Sequence, residues 1–454
     1  MQSGFKPFFQ IPNAGVAGEP FVFSTLSKGE LEFMAQKTGF TVKDLRLAPS
    51  GEENIAWAAA HMPVLSKISA RFAKEKPFKG LRIGMCLHVT KETAVLAKAI
   101  AAGGAQVALC ASNPLSTQDD VAAALAKDGI EVHAVRGCSN KDYYDQANRV
   151  LDTRPQFLVD DGADLINMVH GKRTELLKDV ITGQEETTTG VIRLKAMAKD
   201  GKLKFPVVAV NDTPTKRLFD NYYGTGQSTI DAVMRATNKM LAGSTFVVVG
   251  YGQCGKGLAV RAKGMGCRVI VVEVKPVEAL RAAMDGYGVM TMDDAAAAGE
   301  VFVTVTGNKS VIRKRHFERM KDGAIIANSG HFNVELCIGD LEKLAKSKKL
   351  ILPNVEEYVL ADGRKICLLA EGRLVNLAAG AGHPSEVMDL SFADQALVLE
   401  YLSKHGKSLK PGVHGVPEKI DLDVAKLKAE SMGIGLEKLT QEQVDYLNAY
   451  SEGT

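Results

Sequence analysis

The chain has 454 residues, 46% hydrophobic and 24% charged, with a formal net charge of +3, apolar material enough for two or three packed domains. Basic residues are dispersed among acids, which excludes a nucleic-acid or lipid-headgroup footprint and points to small-molecule chemistry. No apolar run reaches the length of a membrane span, and the N-terminal MQSGFKPFFQIPNAGVAGEP breaks up the apolar region that a signal peptide needs, so a cytoplasmic protein with no membrane partner is expected. Seven cysteines are scattered without CxxC or Cys/His spacing; they read as reduced, and no metal is expected.

The first fifty residues carry little pattern. From about residue 80, short β-branched runs alternate with amphipathic stretches: LRIGMCLH, ETAVLAKAIAAGG, AQVALCA, STQDDVAAALAKDG, IEVHAV, and later QFLVDD and FPVVAV. Strands of that length separated by helical periods predict βαβ units and a parallel sheet. A second series begins near residue 245 with TFVVVG, a helix from Cys254, RVIVVEV, a helix from Val277, VFVTVTG and AIIANSG. The predicted fold class is therefore α/β, with two doubly wound parallel-sheet domains. After His383, SEVMDLSFADQALVLEYL predicts a long helix able to pack back on the first domain, and 431–454 reads as a polar helical tail.

In VVVGYGQCGKG, Gly250, Gly252 and Gly255 form G-x-G-x-x-G between an apolar strand and a helical run, the context in which the pattern signals a dinucleotide site. Such glycines permit a tight turn, close backbone approach to a pyrophosphate and close helix packing, and the helix N-terminus faces the phosphate charge. Glu273 ends the next strand, where a carboxylate takes the ribose hydroxyls, which favours NAD over NADP; Lys275 beside it is the discordant residue.

Upstream of that loop lie further chemical groups. QEETTTG sets three hydroxyls beside Glu185 and Glu186, and Asp160 with Asp161 closes the strand QFLVDD at the carboxyl edge of the first sheet, where ligands of open α/β sheets bind. In TKRLFDN, Lys216 and Asp220 share one helical face. The pair reads either as a solvated surface ion pair or as a clamp holding a shared hydroxyl. His331 and His383 sit in glycine-rich loops facing the same interdomain crevice, as acid/base candidates.

Together, HVTKETAVLAKAI, NPLSTQDD, VDDGADL, EETTTG, VNDTPTKRLFDN, GYGQCGKG, NSGHFNVE and AEGRLVNLAAGAGHPS resemble the S-adenosylhomocysteine hydrolase family, in unbroken order from about residue 55 to the C-terminal region. YYGTGQST with SNPLSTQDD is similar to the branch common in archaea and some bacteria. The resemblance implies a substrate domain over 1–221 resuming at 383–430, an NAD domain inserted over 222–382, and an oligomerisation tail over 431–454 of a homotetramer. TKRLFDN then belongs to the substrate floor and hinge.

The implied chemistry is cleavage of a thioether at C5′ of a nucleoside. Oxidation of the 3′-hydroxyl by tightly held NAD acidifies the C4′ proton, homocysteine is eliminated, water adds, and the ketone is reduced back. By the resemblance Lys216 and Asp220 bind the ribose hydroxyls and help remove the 3′ proton, with His331 close by. Asp161 is the candidate base at C4′ and His88 the candidate for proton traffic at C5′, the two roles being interchangeable. Glu186 orients the ribose, Thr90 and Glu92 meet the adenine, and His383 serves the substrate end and the second hinge. NAD is implied against Thr187, Thr188, Thr189 and Asn221, and against the loop residues Gly250, Gly252, Gln253, Cys254, Gly255, Lys256 and Gly257. Beyond the loop the implied contacts are Glu273, Glu278, Thr306, Gly307, Ser329, Gly330, His331, Asn376 and His383.

Three positions depart from the family pattern: Ala163 in place of glycine, Ala381 in place of a larger residue, and Glu278 in place of asparagine. The end YLNAYSEGT lacks the Lys/Tyr-bearing extension that in many relatives reaches a neighbour's NAD site, so the cofactor is expected to be held either less tightly or by Tyr446 or Tyr450 instead. Three rival readings stand beside the main one. They are an S-inosylhomocysteine hydrolase, with Glu92 as discriminator; a catalytically inactive NAD-binding regulatory relative; and a 2-hydroxyacid dehydrogenase, which leaves EETTTG and TKRLFDN without a purpose.

Overall fold

A computed structural model describes residues 39–450. The readings made on the N-terminal segment before residue 39 and on the last four residues of the tail lie outside the described residues.

The first sheet is built from β1 (Arg82–Cys86), β2 (Gln106–Cys110), β3 (Glu131–His133), β4 (Phe157–Asp160), β5 (Thr182–Glu185) and β6 (Pro206–Ala209). The second takes β7 (Thr245–Val249), β8 (Arg268–Val272), β9 (Gly288–Val289), β10 (Val301–Thr304), β11 (Ala324–Asn328), β12 (Ala345–Leu352), β13 (Val355–Leu360) and β14 (Lys365–Leu369). The chain then returns, and β15 (Gly412–His414) joins the first sheet beside β6. The orders are β15-β6-β5-β4-β1-β2-β3 and β12-β13-β14-β11-β10-β7-β8-β9. Every pairing in the first sheet is parallel, so the two doubly wound sheets expected from the sequence are present.

The central strands of both sheets are covered on both faces, which is why most of them are nearly continuously apolar. Alternate residues feed opposite layers: Ile83, Met85, Val107 and Leu109 pack into one core and Ala108, Cys110 and Leu158 into another. In the second sheet Phe246 and Val248 face one layer, Val247 and Val249 the other.

Several strands escaped the sequence reading, β5 and the antiparallel end of the second sheet among them. β5 has the sequence TGQE, with no β-branched run to reveal it, and is held by parallel partners on both sides. The second sheet also ends in an antiparallel hairpin, β12 with β13, and β13 pairs antiparallel with β14.

The helix Ser385–His405 packs against the helices Pro63–Glu75 and Lys91–Ala102 of the first sheet. Its Asp389, wholly buried, accepts hydrogen bonds from the amides of Val64 (3.2 Å) and Leu65 (2.8 Å) and pairs with Lys428 at 2.9 Å. Those amides open the helix Pro63–Glu75 and have no partner within it, so a carboxylate there satisfies donors and meets the positive end of the helix dipole. The tail forms the helix Gln441–Asn448 with no buried residue. Among the described residues no helix is long and apolar enough to cross a membrane.

Candidate active site

The carboxyl ends of both sheets open on one cavity of about 990 Å³. In the first sheet the strand order reverses between β4 and β1, which splays the following loops and leaves a crevice. His88 follows β1, Asp161 follows β4 and Glu186 follows β5. In the second sheet the reversal lies between β7 and β10, and the loop Gly250–Gly252 and the segment Thr306–Gly307 flank it.

Lys216 is 4% exposed, and its Nζ lies 3.2 Å from Glu186 Oε1 and 3.2 Å from Asp220 Oδ2. The sequence left open whether Lys216 and Asp220 form a surface pair; burial settles that they do not. Lys216 also donates to Asn221 Oδ1 at 2.8 Å. Asp220 reaches His383 Nδ1 at 2.7 Å and accepts from Ser391 at 2.7 Å. Burial opposes the Asp220 charge, but Lys216, His383 and the Ser391 hydroxyl outweigh it and hold the carboxyl well below its usual range. For Lys216 burial pulls downward, and the carboxylates of Asp220 and Glu186 overcome it and raise the ammonium. One ammonium cannot neutralise two carboxylates, so Glu186, buried and second in line, is pushed up to about 8. Gln395 donates to its other oxygen.

The opposing group is His88, Asp161 and His331. His88 Nε2 lies 3.3 Å from Asp161 Oδ2 and His331 Nδ1 3.6 Å from Asp161 Oδ1. Burial lowers His88 to about 4 against the attraction of Asp161, so the ring is a neutral imidazole. Its Nδ1 faces the hydroxyls of Ser116 at 2.7 Å and Ser112 at 3.1 Å, which favours the tautomer with the proton on Nε2, toward Asp161. His331 thus neighbours Asp161, while His383 neighbours the Lys216–Asp220 pair. Gly162 makes this packing possible, because a Cβ there would overlap the His331 ring and its φ is +108°. Ala163, next in line, takes a left-handed φ of 60°, at a cost of roughly 1 kcal/mol that a glycine would not incur.

Ligand spacing in the sequence gave no sign of a metal, but the ligand atoms of His88, Asp161 and His331 all lie within 4.8 Å of one another. The set is assembled across two sheets, and spacing along the chain is blind to it.

At the far end Thr90 caps the helix Lys91–Ala102, and Glu92, 2% exposed, accepts from Ser385 at 2.6 Å. Both line the cavity together with Leu377, Met388 and Phe392, a slot with one carboxylate in an apolar wall.

On the second sheet's side, Gly250 has φ +104° and a Cβ on Gly252 would meet nothing within 4 Å, so that backbone faces open cavity. Glu273 accepts from the amides of Tyr251 (2.7 Å), Val274 (2.7 Å) and Lys275 (2.9 Å), fixing the turn after β8 against the loop. Asn376 Oδ1 and His331 Nε2 are buried polar atoms without a protein partner. An open glycine cradle, a fixed carboxylate and unsatisfied polar atoms fit a dinucleotide. Thr187, Thr188, Thr189, Asn221, Gln253, Cys254, Lys256, Thr306, Gly307, Ser329 and Gly330 line the cavity as well. Glu278 reaches Lys256 at 2.7 Å.

The structure does not bring Gly255 and Gly257 to the lining. They lie behind it, where a Cβ on Gly255 would strike the Gly250 carbonyl and one on Gly257 the Tyr222 carbonyl; their part is helix packing. Sequence reasoning passed over Glu335, 1% exposed, which accepts from the amides of Thr306 (3.0 Å) and Gly307 (2.8 Å). It stood within NSGHFNVE with no pattern of its own. Ser385, Ser391 and Gln395 were also missed, although polar residues on an otherwise buried helix are a signal.

Two doubly wound sheets facing one cleft, with a dinucleotide cradle and His331 on one wall and paired carboxylates, lysine and His88 on the other, define a two-domain NAD-binding enzyme. Family models agree: residues 39–184 match "S-adenosyl-L-homocysteine hydrolase" and residues 221–382 match "S-adenosyl-L-homocysteine hydrolase, NAD binding domain". The chain belongs to the S-adenosyl-L-homocysteine hydrolase family. It is 58% identical to the adenosylhomocysteinase of Aquifex aeolicus over 416 residues, 91% of this chain and 100% of that one. The adenosylhomocysteinase of Sulfurisphaera tokodaii is 58% identical over 91% of this chain and 100% of its own. The S-inosyl-L-homocysteine hydrolase of Methanocaldococcus jannaschii is 55% identical with the same two coverages.

Proposed function

We propose that this enzyme reversibly hydrolyses S-adenosyl-L-homocysteine to adenosine and L-homocysteine. The observation that carries the reading is the buried Lys216 shared by Glu186 and Asp220, opposite the His88–Asp161 pair in a cavity that also holds the dinucleotide loop. The residues of the glycine loop, Glu273, the Thr187–Thr189 hydroxyls and Asn376 would hold NAD there, and it would supply a reversible acceptor for the C3′ hydrogen.

The chain's own groups do the rest. Lys216, held as an ammonium, grips the 3′ oxygen and steadies negative charge as its proton leaves. That proton is taken by Glu186 in its ionised form, the one acceptor of the cluster that titrates near working pH, at about 8, since Lys216 is already an ammonium and Asp220 is held far below. Once C3′ is a ketone the C4′ proton is acidic, and Asp161 takes it. Passed from Asp161 to His88 across 3.3 Å, that proton goes on to the departing sulfur, and in the second half the pair takes a proton from the incoming water and returns one to C4′; the two groups are close enough to exchange roles. Enclosure between the two sheets keeps bulk water from the ketone.

A second reading, S-inosylhomocysteine hydrolysis, is favoured by the similarity to the Methanocaldococcus jannaschii protein; a buried carboxylate, Glu92, suited to the adenine amine argues for the adenosyl substrate. One assay tests both: enzyme with and without added NAD, given either thioether, followed by thiol release and nucleoside identity. Adenosine and thiol in equal amounts, with no net NAD consumed, support the reading; no thiol from either substrate overturns it.

We further propose a division into a substrate domain over 1–221 and 383–430, an NAD domain over 222–382 and an oligomerisation tail over 431–454. Strands of the first sheet falling on both sides of the second support it. A cytoplasmic homotetramer that clears the by-product of methyl transfer is the companion proposal; exposed Leu436, Leu439, Tyr446 and Leu447 on the tail support an interface, and light scattering tests the assembly.

A further inference from the structure

Glu185 is 1% exposed and takes no part in the chemistry above, yet its carboxyl sits between two loops that do. Its Oε1 accepts from the amide of Gly162 at 2.8 Å and from the amide of Thr187 at 2.9 Å. Gly162 follows Asp161 and packs on His331; Thr187 follows Glu186 and begins the three-threonine run. The other oxygen, Oε2, is buried without a partner. Across the strand pair, Glu185 is in register with Asp160, which accepts from the amides of Asp161 (3.2 Å) and Ile166 (2.9 Å). Burial and the neighbouring Asp160 and Asp161 raise Glu185 well above the usual range, and burial pushes Asp160 up to about 7. Gly190, on the helix Thr188–Lys199, leaves the room this carboxyl occupies, since a Cβ there would overlap it.

We propose that Glu185 is a positioning residue for the reaction: one buried carboxyl oxygen ties the Asp161 loop to the Glu186–Thr187 loop and sets the distance between the His88–Asp161 pair and the Lys216 cluster. Backbone amides need an acceptor there, and a neutral acid or an amide serves as well as a carboxylate. A side chain one methylene shorter withdraws the acceptor and leaves both donors buried and unpaired. Displacing catalytic groups by about 1 Å costs about 100-fold in rate.

The inference rests on the reaction proposed above, and its test uses the full-length NAD-loaded enzyme. Glu185→Gln, Glu185→Asp and Gly190→Ala are compared for kcat, KM, pH profile, bound NAD and melting temperature. Glu185→Gln is expected to keep kcat within about threefold of the unsubstituted enzyme, with the same pH profile. Glu185→Asp and Gly190→Ala are expected to fold, keep bound NAD and lose about 100-fold in kcat. A folded Glu185→Asp enzyme with undiminished kcat overturns the proposal. So does a Glu185→Gln enzyme as impaired as Glu185→Asp, which would make charge the requirement, and so does failure of all three to fold, which would make the residue structural only. Thiol release by the unsubstituted enzyme in the same assay separates failure of this clamp from failure of the assigned reaction.

Discussion

Replacing Glu186 by glutamine tests the electrostatic account of the ribose cluster most directly. Burial behind a lysine already matched by Asp220 raises Glu186 from 4.5 to about 8. An acid raised on folding adds no cost below its unfolded value and destabilises increasingly as pH rises toward its folded value. At pH 7 the cost is about 3 kcal/mol, and above pH 8 it reaches about 5 kcal/mol. Glutamine keeps the shape and the contact with Gln395 and never ionises. For a chain of this length 1 kcal/mol moves the melting temperature by about 1 °C. The glutamine enzyme, free of substrate, is therefore expected to gain about 3–5 °C on the unsubstituted enzyme between pH 5 and pH 8, relative to their difference at pH 5. His88, lowered to about 4, contributes the opposite slope, stability lost as pH falls from 6.5, but contributes it equally to both proteins. Differential scanning calorimetry across that range is the assay. Parallel curves, or a gap that closes as pH rises, would refute the reasoning.

Lys216→Gln should lower the rate of thiol release by about 10²–10⁴-fold with bound NAD retained, read by a thiol-reactive dye and by cofactor content after denaturation. Gly257→Ala pushes a methyl into the Tyr222 carbonyl and should cost about 1–3 kcal/mol, seen as a lower urea midpoint. In Glu92→Gln an amide can turn its N–H₂ toward the carbonyl of hypoxanthine, so the kcat/KM ratio of adenosyl to inosyl substrate should fall about tenfold; an unchanged ratio would remove Glu92 from base recognition.

Much of this is legible in the sequence, for identifiable reasons. Strands such as TFVVVG announce themselves because both faces of a parallel strand are buried, and the loop from Gly250 carries its chemistry in consecutive residues. β5 was hidden because TGQE owes its strand state to neighbours on either side and not to its own side chains. The pairing of His331 with Asp161 and of His383 with Asp220 was hidden for a related reason: it depends on how one sheet faces the other, which no local pattern encodes. Glu185 and Glu335 share a further difficulty. Their work is to accept hydrogen bonds from loop amides, and a glutamate doing that looks in the sequence like any surface acid.

The return of the helix Ser385–His405 to the first sheet has a consequence for how the enzyme is made. Lys216 and Asp220 leave the ribosome well before Ser391 and Gln395, the partners of Asp220 and Glu186, and the whole second sheet is synthesised in between. At about 5–20 residues per second the interval is roughly 10–35 s. Through that time the cluster is an uncovered set of charges beside a sheet whose edge strand, β15, has not yet been made. The second sheet, with both of its cores encoded in one continuous stretch, is free to fold first. Arrested chains released just short of Ser385 should therefore bind NAD while leaving the earlier half open to protease, so that competence for the cofactor precedes competence for the substrate in the life of every molecule.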